Sequence, residues 1–131
     1  MSQKVSTFLM FQGQAEEALT FYADLFAEAE LLALTKWPAG GPGKEGTVQQ
    51  AVLLLGGQTI LANDSTVEHD FTFTPSTSLF VQCDSEEEID RVYAALAEGG
   101  SELMPLADYG FSRRFGWTND RFGVSWQLNL A

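Results

Sequence analysis

The stretch Ala15-Glu16-Glu17-Ala18-Leu19-Thr20-Phe21-Tyr22-Ala23-Asp24-Leu25-Phe26-Ala27 decides the fold, because its period differs from that of its flanks. Ala18, Phe21, Tyr22, Leu25 and Phe26 recur at i, i+3, i+4, i+7 and i+8, one face of an α-helix. Glu16 and Glu17 stand in the first turn, where the helix dipole favours negative charge. Upstream, Val5–Phe11 is a short apolar run of strand formers, ended by Gly13. Downstream, Glu30–Trp37 reads as a strand. Pro38-Ala39-Gly40-Gly41-Pro42-Gly43 reads as an exposed loop, since its prolines and glycines hold no regular structure. Thr47–Leu55 and Gln58–Asn63 read as strands joined by a tight hairpin turn at Gly56-Gly57. The polar, irregular segment Asp64–Pro75 reads as a connection.

The pattern then restarts. Ser78–Cys83 reads as a strand, and Ser85-Glu86-Glu87-Glu88 is a capping box, in which the Ser85 hydroxyl accepts from the Glu88 amide while Glu88 reaches back. Ile89, Val92, Tyr93 and Leu96 follow at helical spacing, and Gly99-Gly100 stops the helix. Glu102–Pro105, Arg113–Thr118 and Val124–Leu130 read as strands, the last two separated by a turn at Asn119–Gly123. At an offset of 71, Thr7 falls on Ser78, Leu9 on Phe80, Phe11 on Gln82, Ala18 on Ile89 and Tyr22 on Tyr93. The chain is therefore expected to be α+β: one domain over residues 1–131, with a first module of about 1–65 and a second of about 76–131. Each module reads β-α-β-β-β.

Composition bounds the function. With 7 Lys+Arg against 18 Asp+Glu the formal charge is -11, a field that repels a phosphate backbone, so nucleic acid is not expected as a partner. The single cysteine, Cys83, forms no intrachain disulfide and sits in an apolar strand without a basic neighbour, which reads as a structural thiol. No apolar run approaches the roughly 20 residues of a membrane helix. Met1-Ser2-Gln3-Lys4-Val5 carries no leader pattern, so a cytoplasmic, membrane-free protein is expected.

Three motifs carry a resemblance: Phe8–Tyr22 (FLMFQGQAEEALTFY), Trp37–Gly43 (WPAGGPG) and Asp120–Gln127 (DRFGVSWQ). Together with the duplicated β-α-β-β-β pattern they resemble the vicinal-oxygen-chelate superfamily of glyoxalases, bleomycin-resistance proteins and dioxygenases. Within it they are similar to the PhnB-like, demethylubiquinone methyltransferase-like branch. The resemblance implies curved, cup-like mixed sheets with helices outside, a homodimer, and a small-molecule pocket in each concavity. Short twisted strands with one apolar face also call for a helix over that face.

In metal-dependent relatives of this superfamily, histidines on the first strand of each half and carboxylates on the last hold a divalent ion. Those positions carry over to Thr7 and Ser78, to Leu61 or Asn63, and to Gln127, none of which is a good ligand. The one histidine, His69, lies in the connecting segment between Glu68 and Asp70. No metal and no cofactor are expected. Strand alternation puts Thr7, Leu9 and Phe11 on one face, Ser78, Phe80 and Gln82 on the matching face, and Ser125, Gln127 and Asn129 opposite Trp126. The ligand-binding set expected in the cup is Thr7, Leu9, Phe11, Trp37, Asn63, Ser78, Phe80, Phe111, Arg113, Trp117 and Gln127. At most one of Arg113 and Arg114 enters it, since neighbours on a strand point to opposite faces. The leading reading is a metal-independent small-molecule-binding protein. Two alternatives stand beside it: a glyoxalase- or dioxygenase-type metalloenzyme with displaced ligands, and a resistance protein that sequesters a cationic drug. Whether the protein is an enzyme stays open.

Overall fold

Every stretch with strand or helix periodicity forms that element in the computed structural model, which describes residues 4–131. Met1, Ser2 and Gln3, part of the stretch read for a leader, lie outside the described residues. The order is β1 (Thr7–Phe11), α1 (Ala15–Leu25), β2 (Ala29–Lys36), β3 (Val48–Leu55), β4 (Gln58–Asp64), β5 (Leu79–Gln82), α2 (Glu86–Ala97), β6 (Ser101–Ala107), β7 (Arg114–Asn119) and β8 (Ser125–Leu130). The chain divides into two compact units, Met1–His69 and Asp70–Ala131.

The units share one topology, so the fold is α+β with two β-α-β-β-β modules. In the first, β1 lies parallel to β4, β3 pairs antiparallel with β4, and β2 pairs with β3, giving the order β1-β4-β3-β2. In the second the order is β5-β8-β7-β6, with β5 and β8 parallel. In each unit the helix carries the chain from one sheet edge to the other, and the next three strands return as a meander. The β3–β4 return is a two-residue turn, with Gly56 at φ 55° and Gly57 at φ 87°. Two consecutive positive φ values twist as the strands do, and glycine adopts them without strain.

One face of each sheet is covered by its own helix. In the first unit Ala15, Ala18, Leu19 and Tyr22 of α1 are buried together with Leu9, Phe11, Ala51, Leu53, Ile60 and Ala62. In the second, Ile89, Val92, Tyr93 and Leu96 of α2 are buried with Trp126, Leu128 and Leu130. A Cβ on Gly116 would lie 2.5 Å from the Tyr93 ring, so the bare backbone of β7 lets that ring lie flat against it.

The helices begin differently. The Ser85 hydroxyl accepts from the Glu88 amide at 3.1 Å as the capping box requires, but the Glu88 carboxylate reaches one residue further back, to the Asp84 N–H at 2.7 Å. Gln14, before α1, provides no side-chain cap. Instead Asp64, at the end of β4 and 1% exposed, accepts at Oδ1 from the N–H groups of Gly13 (2.7 Å) and Ala15 (3.0 Å), and at Oδ2 from Val48 (2.9 Å). Asp64 was expected to open the connection between modules; it closes the first unit's core instead.

Candidate functional site

The second sheet's uncovered face follows from its register. Trp126 and Leu128, on the helix side, pair with Leu79 and Val81 of β5 and with Thr118 and Gly116 of β7. Alternation sends Ser125, Gln127 and Asn129 of β8 to the other face. With them go Ser78, Phe80 and Gln82, next to or within β5, and Phe115, Trp117 and Asn119 of β7. The registers Trp117↔Gln127↔Phe80 and Phe115↔Asn129↔Gln82 lay these side chains out in rows.

One end of this face is aromatic. Phe80 and Phe115 have ring centroids 6.4 Å apart, and Phe111 meets Phe115 edge-on at 5.1 Å. Tyr109 stacks on Phe111 at 6.3 Å. Phe80 and Phe111 remain 54% and 63% exposed, so the cluster presents ring surface rather than hiding it. The other end is polar and neutral. Trp117 donates its indole N–H to Ser125 Oγ at 2.9 Å, the Ser125 and Ser78 hydroxyls are 2.7 Å apart, and Gln127 donates from Nε2 to Ser78 Oγ at 3.2 Å. Trp126, one residue along from Gln127, turns the opposite way and donates its N–H to buried Asp120 at 2.9 Å.

The expected set thus divides. Ser78, Phe80, Phe111, Trp117 and Gln127 come together on this face. Phe115, Tyr109 and Ser125 join them, and strand alternation carries the signal for Phe115 and Ser125. Leu9 and Phe11 are corrected: both are buried on the helix side of the first sheet. Thr7 lies with them, opposite Ile60, because β1 pairs Thr7↔Ile60, Leu9↔Ala62 and Phe11↔Asp64. Phe8 and Met10 take the uncovered side, together with Asn63, whose Oδ1 is buried without a hydrogen-bond partner. The equivalence of Thr7 with Ser78 therefore fails, since the two point to opposite faces of their sheets. Trp37 is held inside its own loop. Its backbone N–H donates to the Thr47 carbonyl at 2.8 Å, its carbonyl accepts from the Gly46 N–H at 3.1 Å, and Gly43 lies directly against its indole ring. The segment Pro38–Gly43 is the largely exposed, irregular loop its composition suggested, tied back on itself by these Trp37 contacts.

The two arginines also separate. Arg114 turns to the helix side and pairs with Asp90 of α2 at 2.9 Å. Arg113 donates from Nε and Nη2 to the Ala131 carbonyl, at 3.2 and 2.9 Å, which holds it at the end of β8.

The metal site that the fold family implies does not fit these residues. Ser78 Oγ is engaged by Ser125 and Gln127, Thr7 lies on the helix side, and Gln127 offers a neutral amide. Among the described residues no group of three or more His, Cys, Asp or Glu could hold a metal ion. His69 Nε2 lies 3.0 Å from Ser65 Oγ within the first unit.

Cys83 is buried, and that burial, reinforced by the carboxylates of Glu88 and Asp84, pushes its thiol up to about 12. A thiol held protonated is no nucleophile at neutral pH. The sign for stability follows from comparing states. Below the ordinary thiol value of 9.0 both folded and unfolded chains keep the proton, and the fold has its full stability. Between 9.0 and about 12 the unfolded chain releases the proton first, so stability falls as pH rises. Tyr93, raised by burial and by donating to Glu102 at 2.7 Å, acts in the same sense. The urea midpoint is expected to drop steadily above pH 9, and Cys83→Ala to flatten part of that slope. A midpoint level from pH 8 to pH 11 would contradict this.

Comparison with known proteins agrees with this architecture. The family profile described as 3-demethylubiquinone-9 3-methyltransferase matches residues 3–129. The PhnB protein from Bacillus cereus is 55% identical, with a TM-score of 0.96 over 98% of this chain and 100% of that one. A Pseudomonas aeruginosa protein of known structure is 29% identical, with a TM-score of 0.85 over 98% of each chain. A glyoxylase/bleomycin resistance protein/dioxygenase domain from Frankia, 15% identical, superposes with a TM-score of 0.64 over 100% of this chain and 93% of its own, a likeness of fold. The methyl donor suggested by the profile's description does not fit. The glycine-rich loop after Trp37 leads into strand β3, not into a helix N-terminus that could cradle a nucleotide-like group.

Proposed function

This chain belongs to the 3-demethylubiquinone-9 3-methyltransferase (PhnB-like) family, on the vicinal-oxygen-chelate fold, and on that premise we propose that it is a metal-independent small-molecule-binding protein. One observation carries the reading: Phe80 and Phe111 expose their rings beside a hydrogen-bonded, uncharged group of Ser78, Ser125, Trp117 and Gln127. Apolar walls with a few placed polar groups are what a small-molecule site needs. Among the described residues the partners of the Ser78 and Ser125 hydroxyls are each other, the Pro75 carbonyl, Trp117 and Gln127, none of them a general base, which favours binding over catalysis. Thr7, Leu9 and Phe11 leave the ligand set.

We place the protein in the cytoplasm as a homodimer. An unpaired, protonated thiol suits a reducing compartment. Among the described residues no helix is long and apolar enough to cross a membrane. Exposed Phe8 and Leu32 give the first unit apolar surface that a second copy could cover, and light scattering should return twice 14.4 kDa.

The binding reading is tested by screening aromatic fragments against the 15N-labelled protein, with and without a chelator. The Trp117 indole N–H, fixed on Ser125, is the reporter. Ligands are expected to shift it equally in both conditions, and Phe80→Ala to weaken them about tenfold. Binding that disappears with chelator would overturn the proposal.

A further inference from the structure

We infer, resting on the binding reading above, that the open face of the second sheet selects an uncharged aromatic compound whose ring bears a hydrogen-bond donor and acceptor side by side, as in a lactam or secondary amide. Three observations converge on that class.

The first is charge. Arg114 is neutralised by Asp90 behind the sheet, and Arg113 keeps its charge but is held at the end of β8 by the Ala131 carbonyl, away from the Trp117–Gln127–Phe80 row. The polar side chains that the register places on the face, Ser78, Gln82, Ser125, Gln127, Asn119 and Asn129, are all neutral. A carboxylate or phosphonate would lose its hydration there and gain no counter-ion, inside a chain of net charge -11. Among the described residues the strand registers place no carboxylate on the face to receive a cation.

The second is the state of Gln127. Its amide has two N–H donors and one carbonyl acceptor. One N–H is committed to Ser78 Oγ at 3.2 Å, which fixes the orientation of the amide plane. The carbonyl and the second N–H are left to a ligand. Such a pair is matched by a neighbouring N–H and C=O on one molecule and poorly by either group alone.

The third is placement. Gln127 stands between Phe80 and Trp117 in register, with Phe115 one row along. Rows on one sheet face lie about 7 Å apart and strands about 4.8 Å apart. A ring seated against exposed Phe80, with buried Phe115 behind it, therefore has its substituted edge within reach of Gln127.

The test is calorimetric titration of the full chain with isoquinolin-1(2H)-one, its N-methyl derivative and naphthalene-2-carboxylate. In parallel, the Trp117 indole N–H is followed by NMR. The lactam is expected to bind and to shift that resonance. N-methylation, which removes the donor, should weaken binding about five- to tenfold, the worth of one hydrogen bond, and the carboxylate should not bind. Gln127→Leu should erase the difference between lactam and N-methyl lactam while keeping ring binding. Gln127→Glu, nearly isosteric, should lose the lactam preference without loss of thermal stability. A carboxylate that binds as tightly as the lactam and shifts the same resonance would overturn the ligand class and leave the binding reading standing. So would lactam selectivity that survives both substitutions. If none of the three probes nor any other aromatic fragment moves that resonance at millimolar concentration, both fall together.

Discussion

Asp64→Ala is expected to lower stability by about 3–5 kcal/mol, near the upper end for one substitution. The carboxylate is buried, and it is the partner of three backbone donors from separate parts of the first unit: Gly13 before α1, Ala15 at its first residue and Val48 at the start of β3. Alanine strands the buried Ala15 and Val48 N–H groups out of water, at about 1–3 kcal/mol each and less than additively, and frees the part-buried Gly13 N–H as well. It also removes the side-chain partner of the Ala15 N–H at the α1 N-terminus. Asp64→Asn should fall between wild type and alanine, since an amide keeps one acceptor but turns N–H against N–H at either Gly13 and Ala15 or Val48. Urea unfolding checks this, as a lower midpoint at unchanged slope. A loss under about 1 kcal/mol for the alanine variant would mean the three donors find other partners.

Asp120→Ala should cost the second unit a comparable amount and should also reach the ligand face. Asp120 is 3% exposed; its Oδ1 accepts from Phe122 N–H at 2.9 Å and Val124 N–H at 3.0 Å, and its Oδ2 accepts from the Trp126 indole. Those bonds shape the β7–β8 turn and fix the largest core side chain of β8. Trp126 sits between Ser125 and Gln127, so freeing its indole loosens both polar residues of the site. A loss of about 2–4 kcal/mol is expected, with a shift of the Trp117 resonance that reports Ser125. Trp126→Phe, which removes the indole donor and leaves the turn, separates the two effects. It should disturb stability less and leave Phe122 and Val124 tied. An Asp120→Ala protein that melts with wild type would refute the staple.

Periodicity alone placed all ten elements, usually within one or two residues, because alternation and helical spacing record what each segment must bury. Facing was less legible. The offset of 71 pairs Thr7 with Ser78, but the hydrogen-bonded registers put the helix-side residues at Thr7, Leu9 and Phe11 in β1 and at Leu79 and Val81 in β5, a shift of one residue. In a strand a shift of one inverts every side chain. The helices drift as well: α1 buries Ala15 at its first position, whereas three glutamates fill the first turn of α2 and burial starts at Ile89. A short apolar strand such as Phe8-Leu9-Met10-Phe11 has apolar residues on both faces, so alternation cannot choose between them. In Ser78–Gln82 the polar ends, Ser78 and Gln82, fall on one face with Phe80, and Leu79 and Val81 on the other, so there alternation does separate the faces. The roles of Asp64 and Asp120 were hidden for another reason: apart from the Trp126 indole, the donors named above lie on the backbone, which no side-chain pattern records. The exposed loop after Trp37 was legible in its prolines and glycines, but the contact of Gly43 with the Trp37 ring was not, because composition does not record which side chain a loop folds onto.

The way the two helices are capped bears on the order in which the units assemble. The cap of α2 is local: Ser85 and Glu88 are neighbours, so its first turn can be fixed as soon as those residues meet. The first turn of α1 waits for Asp64, 49 residues beyond Ala15 and on the last strand of its unit. Closing that distance costs chain entropy before any bond returns it. Two halves with one topology are thus expected to differ in folding nucleus, with an early helix in the second and a late one in the first. Changes at Ser85 should slow folding, whereas changes at Asp64 should mainly hasten unfolding.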